Sequence, residues 1–193
     1  MSNITQNKVT CLKPFTNSYN LKLTQSKLSK ITKIPQQTLS RYLNSFVKEG
    51  IIDYTIEGRN KLFYIKKDVP ITYPTFQLLE IHKEIDFLQN QITISVIINQ
   101  LLDYCETIIL FGSYAKNVQT KNSDLDLIIV GKSNKEKIKE IKRKFHLEIN
   151  EQYITIEELK KSFKEKNYLT IEILNNHILF GEISKIIKLF MEI

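Results

Sequence analysis

Along this chain, the spacing of apolar positions switches between helical and strand periods and predicts a mixed α+β protein. Residues 25–32 place Leu28 and Ile31 on one helical face, with Thr24 available as a cap. Lys33, Ile34 and Pro35 predict a tight turn, with Pro35 at the first position of a second helix. That helix, over 36–49, turns Leu39, Leu43, Phe46 and Val47 inward and stops at Gly50. Residues 51–56 and 62–65 then alternate as the two strands of a hairpin around a turn at 57–61. Pro70 and Pro74 break the pattern. After them, Phe76, Leu79, Ile85 and Leu88 predict a helix over 75–89, and a second helix follows over 93–104. An apolar strand over 106–111, a short helical turn at 112–116 and another apolar strand over 124–130 come next. A basic helix at 135–144, a strand at 146–154, helices at 156–161 and 169–174, a short strand at 177–181 and a last helix at 182–191 complete the prediction. The expected organisation is an N-terminal domain over 1–68, linking helices over 69–104 and a sheet-based domain over 105–193.

Charge separates the two ends. The chain carries a net +7, but residues 1–68 hold 12 Lys/Arg against 4 Asp/Glu, whereas 69–193 hold 16 against 17. The whole positive excess therefore belongs to the first third, which points to nucleic acid as its partner. The outer face of helix 36–49 carries Gln36, Gln37, Ser40, Arg41 and Asn44, all able to bond base edges or phosphates, and the hairpin tip offers Arg59 and Lys61. A small α+β domain used for protein contacts is the other role open to this segment.

The chemistry concentrates later, in Gly112 and Ser113 followed after ten residues by Asp124 and Asp126. Residues two apart on a strand share a face, roughly 6.5–7 Å apart, so both carboxylates project together while Leu125 and Leu127 enter a core. Like charges so placed repel one another, and a divalent cation removes that repulsion. Gly112 permits a sharp turn beside a ligand, and Ser113 opens a helical turn whose free N–H groups favour an anion. Phosphate groups on one side and metal-binding carboxylates on the other describe a nucleoside triphosphate site.

Gly112 to Lys116, taken with Ser123 to Leu127, resembles the minimal nucleotidyltransferases of the DNA polymerase β superfamily. The resemblance implies that Asp124 and Asp126 hold Mg2+, that Gly112 and Ser113 contact the phosphates of ATP, and that a third carboxylate stands on the next strand. Lys116 and Asn117 replace the Arg-Gly common in that family. Lys116 keeps the charge without the bidentate fork, and Asn117 tolerates a left-handed backbone. Glu148, between Leu147 and Ile149, is the expected third acid, with Glu151 on the opposite strand parity; a solvent-facing Glu148 is the alternative. The implied chemistry is two-metal nucleotidyl transfer, with ions roughly 3.5–4 Å apart. His82, His146 and His177 have no ligand-like spacing and are expected to be packed or on the surface.

The helix, turn, helix and hairpin of the first third resemble a winged helix-turn-helix module, which implies that helix 36–49 enters the major groove of double-stranded DNA and that residues 59–61 touch the backbone or minor groove. Such a module joined to a minimal nucleotidyltransferase resembles regulators of toxin–antitoxin pairs. That resemblance implies AMP transfer from ATP to a hydroxyl of a HEPN-type toxin partner, and repression by a homodimer. The competing expectation is a transcription regulator whose nucleotidyltransferase fold only senses nucleotide or dimerises. The chain shows no apolar signal core, no membrane span and no metal-like cysteine spacing (Cys11 and Cys105 only), and a cytoplasmic setting is expected.

Overall fold

The computed structural model describes residues 6–165 and 167–193. Residues 1–5 of the expected first domain lie outside the described residues. The chain divides into two compact units, Met1–Leu79 and Glu80–Ile193.

In the first unit, α1 (Gln6–Leu12) and a 3-10 turn (Lys13–Thr16) precede a two-residue strand, β1 (Leu23–Thr24). Then follow α2 (Gln25–Thr32), α3 (Gln36–Lys48) and the hairpin β2 (Ile52–Glu57) and β3 (Asn60–Ile65). Thr24 caps α2 as its position predicts, its hydroxyl accepting from the Lys27 N–H. Lys33 takes a left-handed φ of 58° to end the helix. Pro35 stands one residue earlier than expected, as the cap of α3 rather than its first turn. Leu28, Leu39, Leu43 and Phe46 are buried beside Phe15, Tyr19 and Phe63. Ile31 departs from the expected pattern: it is half exposed, and Leu28 alone seats that helix. The hairpin turns at Gly58 (φ 60°) and Arg59, the first central position being the one where a two-residue turn of the right twist needs positive φ. β1 adds an antiparallel third strand, giving the order β1-β3-β2, with Leu23 opposite Phe63.

Next comes α4 (Thr72–Asn90), which starts three residues before the expected helix and carries Pro74 in its first turn, where the missing N–H is harmless. Phe76, Leu79 and Phe87 are its buried apolar positions, whereas Ile85 faces solvent. The division between the units falls within this helix.

The second unit is built on a four-stranded mixed sheet. Its elements in order are α5 (Ile92–Leu102), β4 (Cys105–Phe111), α6 (Gly112–Ala115), β5 (Leu125–Ser133), α7 (Lys135–Lys142), β6 (Ile149–Ile154), α8 (Ile156–Glu165), α9 (Tyr168–Asn175), β7 (Ile178–Gly181) and α10 (Ser184–Glu192). Strand order is β6-β5-β4-β7, with only β5 and β6 parallel. β4 and β5, buried on both faces, read as continuous apolar runs for that reason. Ile97, Ile98 and Leu101 of α5 pack with Ile108, Leu110, Leu125, Leu127 and Ile129 in one core cluster.

One buried cluster is ionic. Glu80 forms an ion pair with Lys83 at 2.8 Å and lies 3.2 Å from His177 Nε2, while His177 Nδ1 is 2.7 Å from the Ile173 carbonyl of α9. All three side chains are buried. Burial, then the Lys83 charge, push the His177 imidazole below its ordinary range. Burial opposes ionisation of Glu80, but the charges and donors of Lys83 and His177 prevail and hold its carboxyl below the usual range. Both shifts have the same sign for linkage: each group contributes stability above its unfolded value that is lost as pH falls. Melting temperature should therefore drop as pH falls, first below about pH 6.5 on account of His177 and then between about pH 4.5 and pH 2 on account of Glu80. Glu80→Ala should lower stability by about 3 kcal/mol at neutral pH in urea unfolding, because it leaves a lysine buried without its carboxylate.

Candidate active site

The functional residues of the second unit converge where β4 ends and β5 begins. Gly112 follows the last residue of β4 with φ at +71°, a conformation that suits glycine. A Cβ built there would overlap the Asp126 carboxylate, so the missing side chain of Gly112 is the space in which Asp126 sits. Asp126 pairs with Phe111 across the β4–β5 ladder, and that register sets its carboxylate over the turn. Leu125 and Leu127, on the other face, are fully buried as their parity predicts.

Asp124 lies just ahead of β5. The loop leading to it is tied by Thr120 and Ser123, the Ser123 hydroxyl accepting from the Thr120 N–H at 2.8 Å. Asn117 adopts the left-handed backbone (φ 56°) that its side chain tolerates. Ser113 is the second residue of α6, a single turn of four residues, and such a turn has little dipole to offer an anion. Contacts to phosphate would rest on backbone N–H groups, the Ser113 hydroxyl and Lys116.

The expected third acid is not brought in. Among the described residues no three His, Cys, Asp or Glu side chains gather as a metal cluster. β6 starts at Ile149, three residues later than expected, and Glu148 is exposed just before it, contributing its backbone carbonyl to Leu125 N–H. Glu151 faces away and pairs with Lys142. The residue in register with Asp126 is Asn150, whose amide Nδ2 stands 3.3 Å from Asp124 Oδ2 and 3.4 Å from Asp126 Oδ1. Its signal was present in the sequence as the next residue of Glu148's parity, but a search for acids passes over an amide.

Glu172 is the second residue that local pattern could not find. It reaches from α9 to Lys116, carboxylate to ammonium at 2.5 Å, across 56 residues of sequence. That hydrogen bond raises the Lys116 pKa. Asp126 is pushed up by partial burial, with the Asn150 amide opposing and the charges of Asp124 and Glu172 adding. An anionic pair whose charge the fold makes costly, with oxygens open on one side, fits a divalent cation. Asp124 and Asp126 are the residues that would hold it.

In the first unit, Gln36, Gln37, Arg41 and Asn44 are exposed on α3 and Ser40 is half-buried. Gln25 joins Gln36, Gln37, Ser40 and Arg41 around a shallow concavity and donates to the Gln36 carbonyl at 3.0 Å. Arg59 is at the hairpin turn; Lys61 is within β3, its ammonium 4.1 Å from the centre of the Tyr54 ring.

Gly112→Ala should cost about 1–2 kcal/mol for the left-handed backbone alone, and more because the methyl displaces Asp126. Gly58→Ala, with the same backbone hand and open space around it, supplies the control. Thermal denaturation of the two variants should show the larger loss at Gly112; equal losses would mean that the close approach to Asp126 is without energetic consequence.

Residues 93–188 match the family model of the nucleotidyltransferase domain. A candidate protein adenylyltransferase of Methanocaldococcus jannaschii is 36% identical over 76 residues, covering 39% of this chain and 55% of that protein. The match thus spans about half the length of the curated relative. A crystal structure of an E. coli protein described as a predicted DNA-binding transcriptional regulator is 21% identical and covers 42% of this chain and 80% of its own, at a TM-score of 0.33, too low to support a structural argument. No described helix is long and apolar enough to cross a membrane. Over residues 93–188, just under half of the chain, the similarity is to a nucleotidyltransferase domain.

Proposed function

We propose that this protein transfers AMP from ATP to a hydroxyl group, with a divalent cation, Mg2+ in the cell, at Asp124 and Asp126. The observation that carries the proposal is the pair of carboxylates set over a glycine turn at the end of β4. In the reaction the acceptor oxygen bonds to the α-phosphorus, the bond to pyrophosphate breaks and the acceptor proton is lost. Gly112 leaves room for the Asp126 carboxylate, Ser113 donates a hydroxyl to the triphosphate and Lys116 balances its charge. A bound divalent cation supplies charge neutralisation at the transferring phosphoryl group. No nucleophile of the chain enters a covalent step, and positioning accounts for the protein's part.

The acceptor we favour is a hydroxyl on a partner protein, a HEPN-type toxin, in keeping with the regulator resemblance and with the adenylyltransferase similarity. The second unit has 16 basic residues against 17 acidic beyond residue 68, so it has no excess charge with which to hold a polynucleotide acceptor. For the first unit we favour a winged helix-turn-helix that binds promoter DNA as a homodimer. The exposed polar face of α3 and the antiparallel hairpin support that assignment. A second role, nucleotide sensing without transfer, is favoured by Asn150 standing where a third acid is expected.

With α-labelled ATP, a divalent cation and the product of the neighbouring gene, label should move to that partner, and Asp126→Ala should reduce transfer by at least about a thousandfold. ATP binding without transfer to any protein would support the sensor. Arg41→Ala should weaken binding to the protein's own promoter, and affinity should fall steeply with salt, with the slope against log salt reduced by about one if Arg41 meets a phosphate. Salt-independent binding would assign the first unit to protein contacts.

A further inference from the structure

Among the described residues, the Asn150 amide is the one side chain hydrogen-bonded to both aspartates. Its two contacts are long for hydrogen bonds, so each is weak. Its position is fixed by the parallel ladder that sets it opposite Asp126, and Ile149 anchors the strand in the core beside it. Without a cation, an amide nitrogen facing two carboxylates is the favourable orientation. With a cation on those carboxylates, the same N–H groups would point at positive charge. The terminal torsion of asparagine is soft and roughly two-fold, so a half-turn exchanges nitrogen for oxygen at little cost. The amide carbonyl is then a hard oxygen, the ligand type that Mg2+ and Mn2+ prefer.

We propose that Asn150 is a ligand of the divalent cation through Oδ1, completing a set with Asp124 and Asp126. This inference rests on the nucleotidyltransferase assignment of the site and adds a consequence to it. A neutral third ligand leaves the protein's set at a charge of −2, which one divalent ion cancels. A second ion must then bring anionic oxygens with it, and the triphosphate supplies them. Cation binding to the free protein is therefore weak and strengthens with nucleotide.

Mn2+ titration of the full chain tests this, read by the loss of the free-ion electron paramagnetic resonance signal, with and without a non-hydrolysable ATP analogue and, because the analogue itself chelates Mn2+, against the same analogue without protein. Wild type should bind Mn2+ weakly alone and at least about tenfold more tightly with the analogue. Asn150→Ala should weaken binding by about tenfold or more in the presence of the analogue, and Asn150→Asp should bind Mn2+ tightly without it. If the amide only braces the carboxylates as a donor, the ion must displace it, and Asn150→Ala would then bind Mn2+ as well as wild type or better. That result overturns the proposal while leaving the site assignment intact. Failure of wild type to take up Mn2+ even with the analogue would overturn both. Circular dichroism of Asn150→Ala, an exposed position, separates lost ligation from lost fold.

Discussion

The second unit is organised by electrostatic repulsion that its backbone sustains. Asp124 and Asp126 cannot separate, because Leu125 and Leu127 are locked in the core on the opposite face. Asp126 cannot turn away either, because the ladder with Phe111 sets it over Gly112. Relief comes from the side: one glycine without a Cβ makes room, and one amide donates to both carboxylates. This arrangement gives up some stability to hold two carboxylates together, as functional sites commonly do. The surrounding sheet can bear that cost because β4 and β5 are apolar nearly throughout.

In the first unit the organising device is different. Its excess of positive charge is spread over short elements, and the core that holds them together is largely aromatic and aliphatic: Phe15, Tyr19, Leu28, Leu39, Leu43, Phe46 and Phe63. α3 divides sharply between a buried apolar stripe and a polar face, so the residues best suited to meet nucleic acid are displaced from the core by helical geometry alone.

Period and parity were legible in the sequence wherever an element was long or doubly buried. α2 matched residue for residue, cap included, and the orientation of Asp126 against Leu125 and Leu127 followed from the two-residue repeat. What escaped was short or distant. β1 has two residues, too few for any period, and α1 has seven. Ile31 and Ile85 fit an apolar spacing yet face solvent, since periodicity cannot tell which apolar residues find a partner. The third strand was placed three residues early, because Leu147 and Ile149 alternate with Glu148 as a strand would. Asn150 was overlooked with it. Glu172 left no local trace at all, since its partner Lys116 is 56 residues away and only folding makes them neighbours.

Glu172 and Asn150 act in the same direction. Lys116 is engaged by Glu172, and the Asn150 amide hydrogens face both aspartates. Neither half of the site is preset for its ligand. A triphosphate alone would meet two carboxylates and a lysine already paired; a divalent cation alone would meet a set one carboxylate short. Together they cancel each other's cost: phosphate oxygens complete the cation's ligands, and the cation screens the phosphates from Asp124 and Asp126. On the proposed assignment, the charge arrangement selects for nucleotide and cation arriving as one complex, through two side chains, one neutral and one borrowed from α9, that lie outside the glycine–aspartate motif itself.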